Sequence, residues 1–199
     1  MIIRRILLLV AIGTITGCVA TGYTLVQPGP NAAQELRVTA DNGWNLAPTM
    51  MTPAARTGTQ TWTQDGLLLD RLVLIPAVPD GGTLFIDRSN TAALPMFRKN
   101  MLPNEIEELI ESTLVKYFGE GQATVSTSNL RPQMYGEQRG VMFDLSAQLS
   151  DSPDYRGTIG AFIANDKLYT IWYIAAHPHY HDKHSQRAEA IIKSAALVN

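Results

Sequence analysis

A single cysteine, Cys18, stands in a chain of 199 residues. One thiol cannot close an internal disulfide, so the fold has to rest on its apolar core. Charge is sparse as well, with Asp, Glu, Lys and Arg making up only 17%. Lysine and arginine nowhere cluster among aromatics and the formal net charge is -2, which argues against nucleic acid, a partner gripped mainly through basic side chains. No apolar run reaches the ~20 residues that a transmembrane helix needs. Enzyme signatures are missing too: there is no Gly-x-Ser-x-Gly elbow, no Gly-x-x-x-x-Gly-Lys phosphate loop and no His-Glu-x-x-His helix. A hydrolase therefore ranks last among the functions considered, and no cofactor is expected. What the chain does have is apolar residues, at 45%, enough for one well-filled domain and too few residues for two.

The amino terminus reads as an address. Arg4 and Arg5 precede an apolar run from Ile6 to Ile15, no acid occurs before Cys18, and small residues lead into the cysteine. That is the layout of a secretory signal. Discounting the two arginines leaves 14 basic residues against 18 acidic ones. Ile15-Thr16-Gly17-Cys18 closely resembles the lipobox of bacterial lipoproteins. The resemblance implies that residues 1–17 are a signal peptide cut off before Cys18. It also implies that Cys18 carries a diacylglycerol thioether and an amide-linked fatty acid such as palmitate, and so partners membrane lipid. Several acyl chains on one residue anchor a protein stably, at about 0.8 kcal/mol per buried methylene. By resemblance to lipoprotein sorting in Gram-negative bacteria, Val19 after the cysteine, in place of Asp, implies the outer membrane, facing the periplasm. Residues 18–34, centred on Gln27-Pro28-Gly29-Pro30, read as a flexible tether of roughly 20 to 25 Å.

The domain then occupies residues 35–199. Glu35 to Ala40 and Trp44 to Leu46 flank Asp41-Asn42-Gly43 and read as a small hairpin. Pro48 to Gly58 is loop, Thr59 to Thr63 a short strand, and Leu67 to Ile75 a clear one that ends at Pro76; Thr83 to Ile86 is a further short strand. Pro103 to Phe118 is the best helix. Its apolar stripe runs Ile106, Leu109, Ile110, Leu114, Tyr117, Phe118, with Asn104 and Glu107 spaced for a capping box and Gly119 as a stop. Its other face is acidic, which excludes an amphipathic membrane helix. Gln122 to Leu130 and Gly140 to Leu149 are strands, the second alternating and so nearer an edge.

Thr158 to Ala164 and Lys167 to Ala176 are apolar runs flanking Asn165-Asp166, two residues that tolerate positive φ and so favour a hairpin. Leu168 to Ala175 is apolar on both faces and needs cover on both, which makes it a central strand. A final helix spans about Asp182 to Ala196. The order predicts an α+β fold, an α/β/α sandwich around a mainly antiparallel sheet with two principal helices, 103–118 and 182–196.

Several segments also resemble the closing section of the PsbP/Mog1/DcrB-type fold: Tyr155-Arg156-Gly157, Lys167-Leu168-Tyr169-Thr170 running into Ala175-Ala176, and Ile191-Ile192-Lys193-Ser194. Trp44, and a helix ahead of a meander, are similar in order. Those families share an α/β/α sandwich and no common catalytic centre; their members serve as photosystem subunits, GTPase partners or envelope lipoproteins. The resemblance implies a fold and carries over no site residue.

All four histidines lie in one run: His177, His179, His181 and His184. Imidazole suits zinc, copper or nickel, and His177, His179 and His181 would point the same way on an extended segment, with His181 and His184 one helical turn apart. The bland reading is an exposed polar loop, with Asp182 as N-cap and His184 and Tyr180 packed beneath the helix. Asp70, Asp87 and Asp144 lie in or beside strands, where wet faces and pairing with Arg71 or Arg88 explain them. Trp62, Trp172 and Tyr173 read as core. The favoured expectation is a non-enzymatic envelope lipoprotein, anchored through Cys18, that binds a protein partner or small ligand at a groove between sheet and helix. The alternative is a metal-binding protein using residues 177–184.

Overall fold

A computed structural model describes residues 22–52, 54–86, 93–118, 121–150 and 153–198. Cys18, the signal segment, Asp87, Arg88 and Gly119 lie outside them. In chain order the strands are β1 (Thr24–Leu25), β2 (Gly29–Ala33), β3 (Leu36–Ala40), β4 (Asn45–Leu46), β5 (Gln60–Thr63) and β6 (Asp70–Pro79). Helix α1 (Pro103–Phe118) follows, then β7 (Ala123–Tyr135), β8 (Gln138–Leu149), β9 (Tyr155–Ala164), β10 (Lys167–Ala176), helix α2 (His179–Lys193) and β11 (Ala196–Leu197).

The β9–β10 hairpin forms as its turn residues dictate. Asn165 and Asp166 sit at φ 50° and 60°, both left-handed, the backbone a two-residue link needs to match strand twist. Beyond the turn β10 pairs with β9 on one side and β6 on the other. The large antiparallel sheet runs β1-β4-β5-β6-β10-β9-β8-β7 and a small one runs β11-β3-β2. Strand β10 is central, as its two apolar faces require, and β8 lies one strand in from the edge.

Alternation along β10 divides the core in two. Tyr169, Ile171, Tyr173 and Ala175 join Ala188, Ile191 and Ile192 of α2 and Leu36 and Val38 of the small sheet. Leu168, Trp172 and Ile174 join Ile106, Leu109, Ile110 and Leu114 of α1. Burying those four α1 side chains contributes roughly 6 to 12 kcal/mol gross, at about 1.5 to 3 kcal/mol each, an upper bound for any real unfolded chain. The class is therefore α+β, two helices on a mostly antiparallel sheet.

Several expectations need correction. The tether expected over residues 18–34 is partly folded: Thr24–Leu25 and Gly29–Ala33 form β1 and β2, with Val26 and Ala33 buried; their partners β4 and β3 follow in the chain, and nothing in a Gly/Pro-rich stretch announces that pairing. Asp41 to Gly43 does not close a hairpin. It carries the chain from β3 in the small sheet to β4 in the large one, because Trp44 beside it is fully buried, its indole N–H donating to Asp41 Oδ1 at 2.7 Å.

Strand β6 does not stop at Pro76 but runs to Pro79. The proline that cannot donate is accommodated by an irregularity in register against β10 between Leu168 and Thr170, with Ala77 at φ 50°. Thr83 to Ile86 supplies only an isolated bridge, Phe85 to Ala55. At the start of α1 the carboxylate that reaches back is Glu105, accepting from the Leu102 N–H at 2.6 Å, so the capping pair sits two residues ahead of Asn104 and Glu107. Helix α2 spans His179–Lys193 instead of 182–196. Pro178 occupies its N-cap with helical backbone and its carbonyl accepts from the Asp182 N–H at 2.9 Å, which puts Asp182 in the first turn. Ala196 belongs to β11, paired to β3.

Candidate functional site

The histidine run is split by the start of α2. His177 lies in the turn, while His179, His181 and His184 are on the helix, where successive side chains are about 100° apart rather than aligned as on a strand. Among the described residues no three His, Cys, Asp or Glu side chains are grouped as a metal would need. His177 and His181 keep ring centroids 6.0 Å apart, His181 Nδ1 lies 3.0 Å from Asp182, and His179 packs edge-on against Tyr180. The His181 contact holds the exposed Asp182 carboxyl below its ordinary value.

His184 faces the core. It is 2% exposed, and its Nε2 meets Asp65 Oδ2 at 2.6 Å while Nδ1 is buried without a partner. Burial would raise the Asp65 carboxyl, but hydrogen bonds from Lys183 Nζ (2.9 and 3.0 Å) and His184 outweigh it and leave that carboxyl lowered. The Asp65 N–H in turn donates to Asp70 Oδ1 at 2.7 Å. A histidine oriented by an aspartate is half of a nucleophile-activating pair. Here the free nitrogen is sealed inside, so the contact ties α2 to the 64–69 turn and offers substrate no base.

Asp70 departs from the expectation of a wet strand face. It is 1% exposed and accepts from Thr63 Oγ1 at 2.9 Å and from the backbone N–H groups of Gln64 and Asp65. Asp144 is paired as an edge charge should be, with Arg131 at 3.0 Å in place of Arg71. Trp62, Trp172 and Tyr173 are core. Burial, with Asp70, Asp65 and Asp182 nearby, pushes the Tyr173 hydroxyl well up, and it donates to the Tyr180 carbonyl at 3.1 Å.

The surface that can receive something is on the other side of the sheet. There the carboxyl-terminal half of α1 stands off from β5, β6 and β10 and leaves a groove of about 410 Å³. Trp172 and Ile174 of β10 and Val73 of β6 form its floor; Leu114, Tyr117 and Phe118 of α1 form one wall. The opposite wall is Leu67 and Leu68 in the 64–69 turn and Thr59 and Thr61 of the β5 region, and Met51 and Phe85 close one end. Phe85 joins the α1 wall to the floor, edge-on to Trp172 at 5.5 Å and tilted over Tyr117 at 4.8 Å. Around the mouth Leu68 is 78% exposed, and Met51 and Tyr117 are also solvent-facing apolar side chains. Arg71 is the one charged residue among the described lining.

The volume falls within the usual range for small-ligand sites, which are mostly apolar with a few polar groups that fix orientation. The groove lies between α1 and the sheet. Arg71 alternates with Val73 and Ile75 on the α1-facing side of β6, and a lone cation on an otherwise apolar face was the available signal. Leu68 and Phe85 fall in segments that read as strands, 67–75 and 83–86, and nothing in those runs marks either as groove-lining.

No protein-family model matches the chain, and no curated protein matches it by sequence. Among solved structures, the solution structure of cyanobacterial PsbP (CyanoP) from Synechocystis sp. PCC 6803 is similar over 94% of this chain and 99% of that one, with a TM-score of 0.59 and 11% identity. At that identity the likeness shows the fold alone: the chain has a PsbP-like fold.

Proposed function

We propose that the chain is a bacterial envelope lipoprotein, anchored through acylated Cys18 in the outer membrane and facing the periplasm, whose domain is a non-enzymatic binding module. In this reading α1 and α2 are the outer layers of an α/β/α sandwich, and the module takes a protein partner or small ligand in the groove between α1 and the sheet. The observation that carries the binding role is that groove, about 410 Å³ of mainly apolar lining with an exposed apolar rim. Apolar side chains at such a mouth are costly to leave in water unless something covers them. The anchoring half rests on Ile15-Thr16-Gly17-Cys18 after an apolar run.

Two measurements on the full chain test the two halves. Changing Cys18→Ser is expected to move the protein out of the sedimented membrane fraction, and retention there would remove the lipid anchor from the reading. Changing Leu68→Glu, at a side chain that packs against little, is expected to weaken whatever is captured with the detergent-solubilised protein by about tenfold, the effect of ~1.4 kcal/mol. Undiminished capture would place binding elsewhere on the domain.

A further inference from the structure

The groove's chemistry is specific enough to name a ligand class, an inference that rests on the binding-module reading above. Its volume of about 410 Å³ corresponds to about 14 groups of water size at ~30 Å³ each. Apart from Thr52, Thr59, Thr61 and Arg71, the described floor and walls are aromatic and aliphatic, so most of an occupant must be hydrocarbon. The charged exception is Arg71, which projects from β6 on the α1 side. Among the described residues no carboxylate lies within salt-bridge distance of its guanidinium. A guanidinium is a planar fork that matches a carboxylate with two parallel hydrogen bonds, and in an apolar site the pair is stronger than in water.

Polar atoms on neighbouring walls also lack partners: Thr59 Oγ1 and Trp172 Nε1 are both buried and unbonded, on residues that line the groove. Either donor can be satisfied by an acceptor on an occupant that reaches it. From this geometry we infer that the groove binds the chain of a long-chain carboxylic acid, with its carboxylate on Arg71 and its methylenes along Trp172, Leu114 and Phe118. Each methylene removed from water favours the site, while the single cation fixes which end enters at β6.

The test uses the full acylated chain in phosphatidylcholine vesicles and two photoactivatable probes, a diazirine-bearing palmitic acid and the matching uncharged hexadecanol. Crosslinks are located by peptide mass spectrometry. The expected result is adducts concentrated on the peptides around Leu67–Leu68 and Leu114–Phe118, formed by the acid at least about tenfold more than by the alcohol, as loss of one charge-assisted pair predicts. Arg71→Gln should abolish that preference and Arg71→Lys should keep part of it. The comparison of probes on the unaltered chain stands even if a variant fails to fold. If both probes label the groove equally, the carboxylate assignment is overturned while the groove remains a binding surface. If neither labels those peptides above the rest of the domain, the ligand class is overturned, and the binding-module reading is then decided by the Leu68→Glu capture alone.

Discussion

Replacing Asp70 by alanine removes the acceptor around which the 64–69 turn is built. In the native chain its carboxylate takes the Thr63 hydroxyl at 2.9 Å, the Gln64 N–H at 3.0 Å and the Asp65 N–H at 2.7 Å, with the residue 1% exposed. Alanine leaves three donors without a partner. An unsatisfied buried polar group costs about 1 to 3 kcal/mol; Gln64 and Asp65 are only half-buried, so water recovers part of their loss, and about 1 kcal/mol for each of the three gives ~3 kcal/mol.

Asp70→Asn keeps one acceptor oxygen and should lose about half as much. In urea unfolding the midpoint should fall while the slope stays constant, and in a thermal scan the midpoint should drop by roughly 6 to 12 °C for a chain of this size. The turn also carries Leu67 and Leu68 of the groove wall and Asp65, the partner of His184, so occupancy of the groove should weaken together with stability. A loss below about 1 kcal/mol for Asp70→Ala would refute the reasoning, because it would mean that solvent already serves these N–H groups.

Two further expectations follow from single contacts. A methyl group at Gly157 would land well inside contact distance of the Tyr173 carbonyl oxygen, a backbone atom of the central strand that cannot swing aside; Gly157→Ala should therefore destabilise by at least about 3 kcal/mol, the upper end of overpacking costs, and a mild effect in chemical unfolding would count against this β9–β10 register. Glu35 accepts from the Tyr169 hydroxyl at 2.5 Å and from Lys167 at 3.1 Å, and these bonds, Tyr169 first, lower its carboxyl below 4.5. Since the folded value is the lower one, the contribution is complete above pH 4.5 and is lost as pH falls through the folded value. Glu35→Gln should flatten the stability profile below about pH 4.5, and an unchanged slope there would dismiss the contact.

The amino-acid sequence by itself determined the features whose physics is local. Asn165-Asp166 specifies its hairpin because positive φ at both positions is a property of those two residues. The stripe from Ile106 to Leu114 specifies α1 because a period of 3.6 puts it on one side. The two apolar faces of Leu168 to Ala175 required cover on both sides, and hence a central strand, without any knowledge of what the cover would be.

Tertiary structure alone decided the rest. Residues 24–33 become strand only because other strands lie alongside them, and β11 at the far end of the chain pairs with β3, a contact separated by some 160 residues that no local propensity encodes. Asp70 is an ordinary strand acid until the chain folds back and aims three donors at it. His184 and Arg71 have equally plain surroundings in sequence, yet the two sides of the sheet seal one against Asp65 and leave the other as the one cation among the described residues of an apolar groove. Burial and charge at a site are properties of what surrounds it, and those surroundings come from distant parts of the chain.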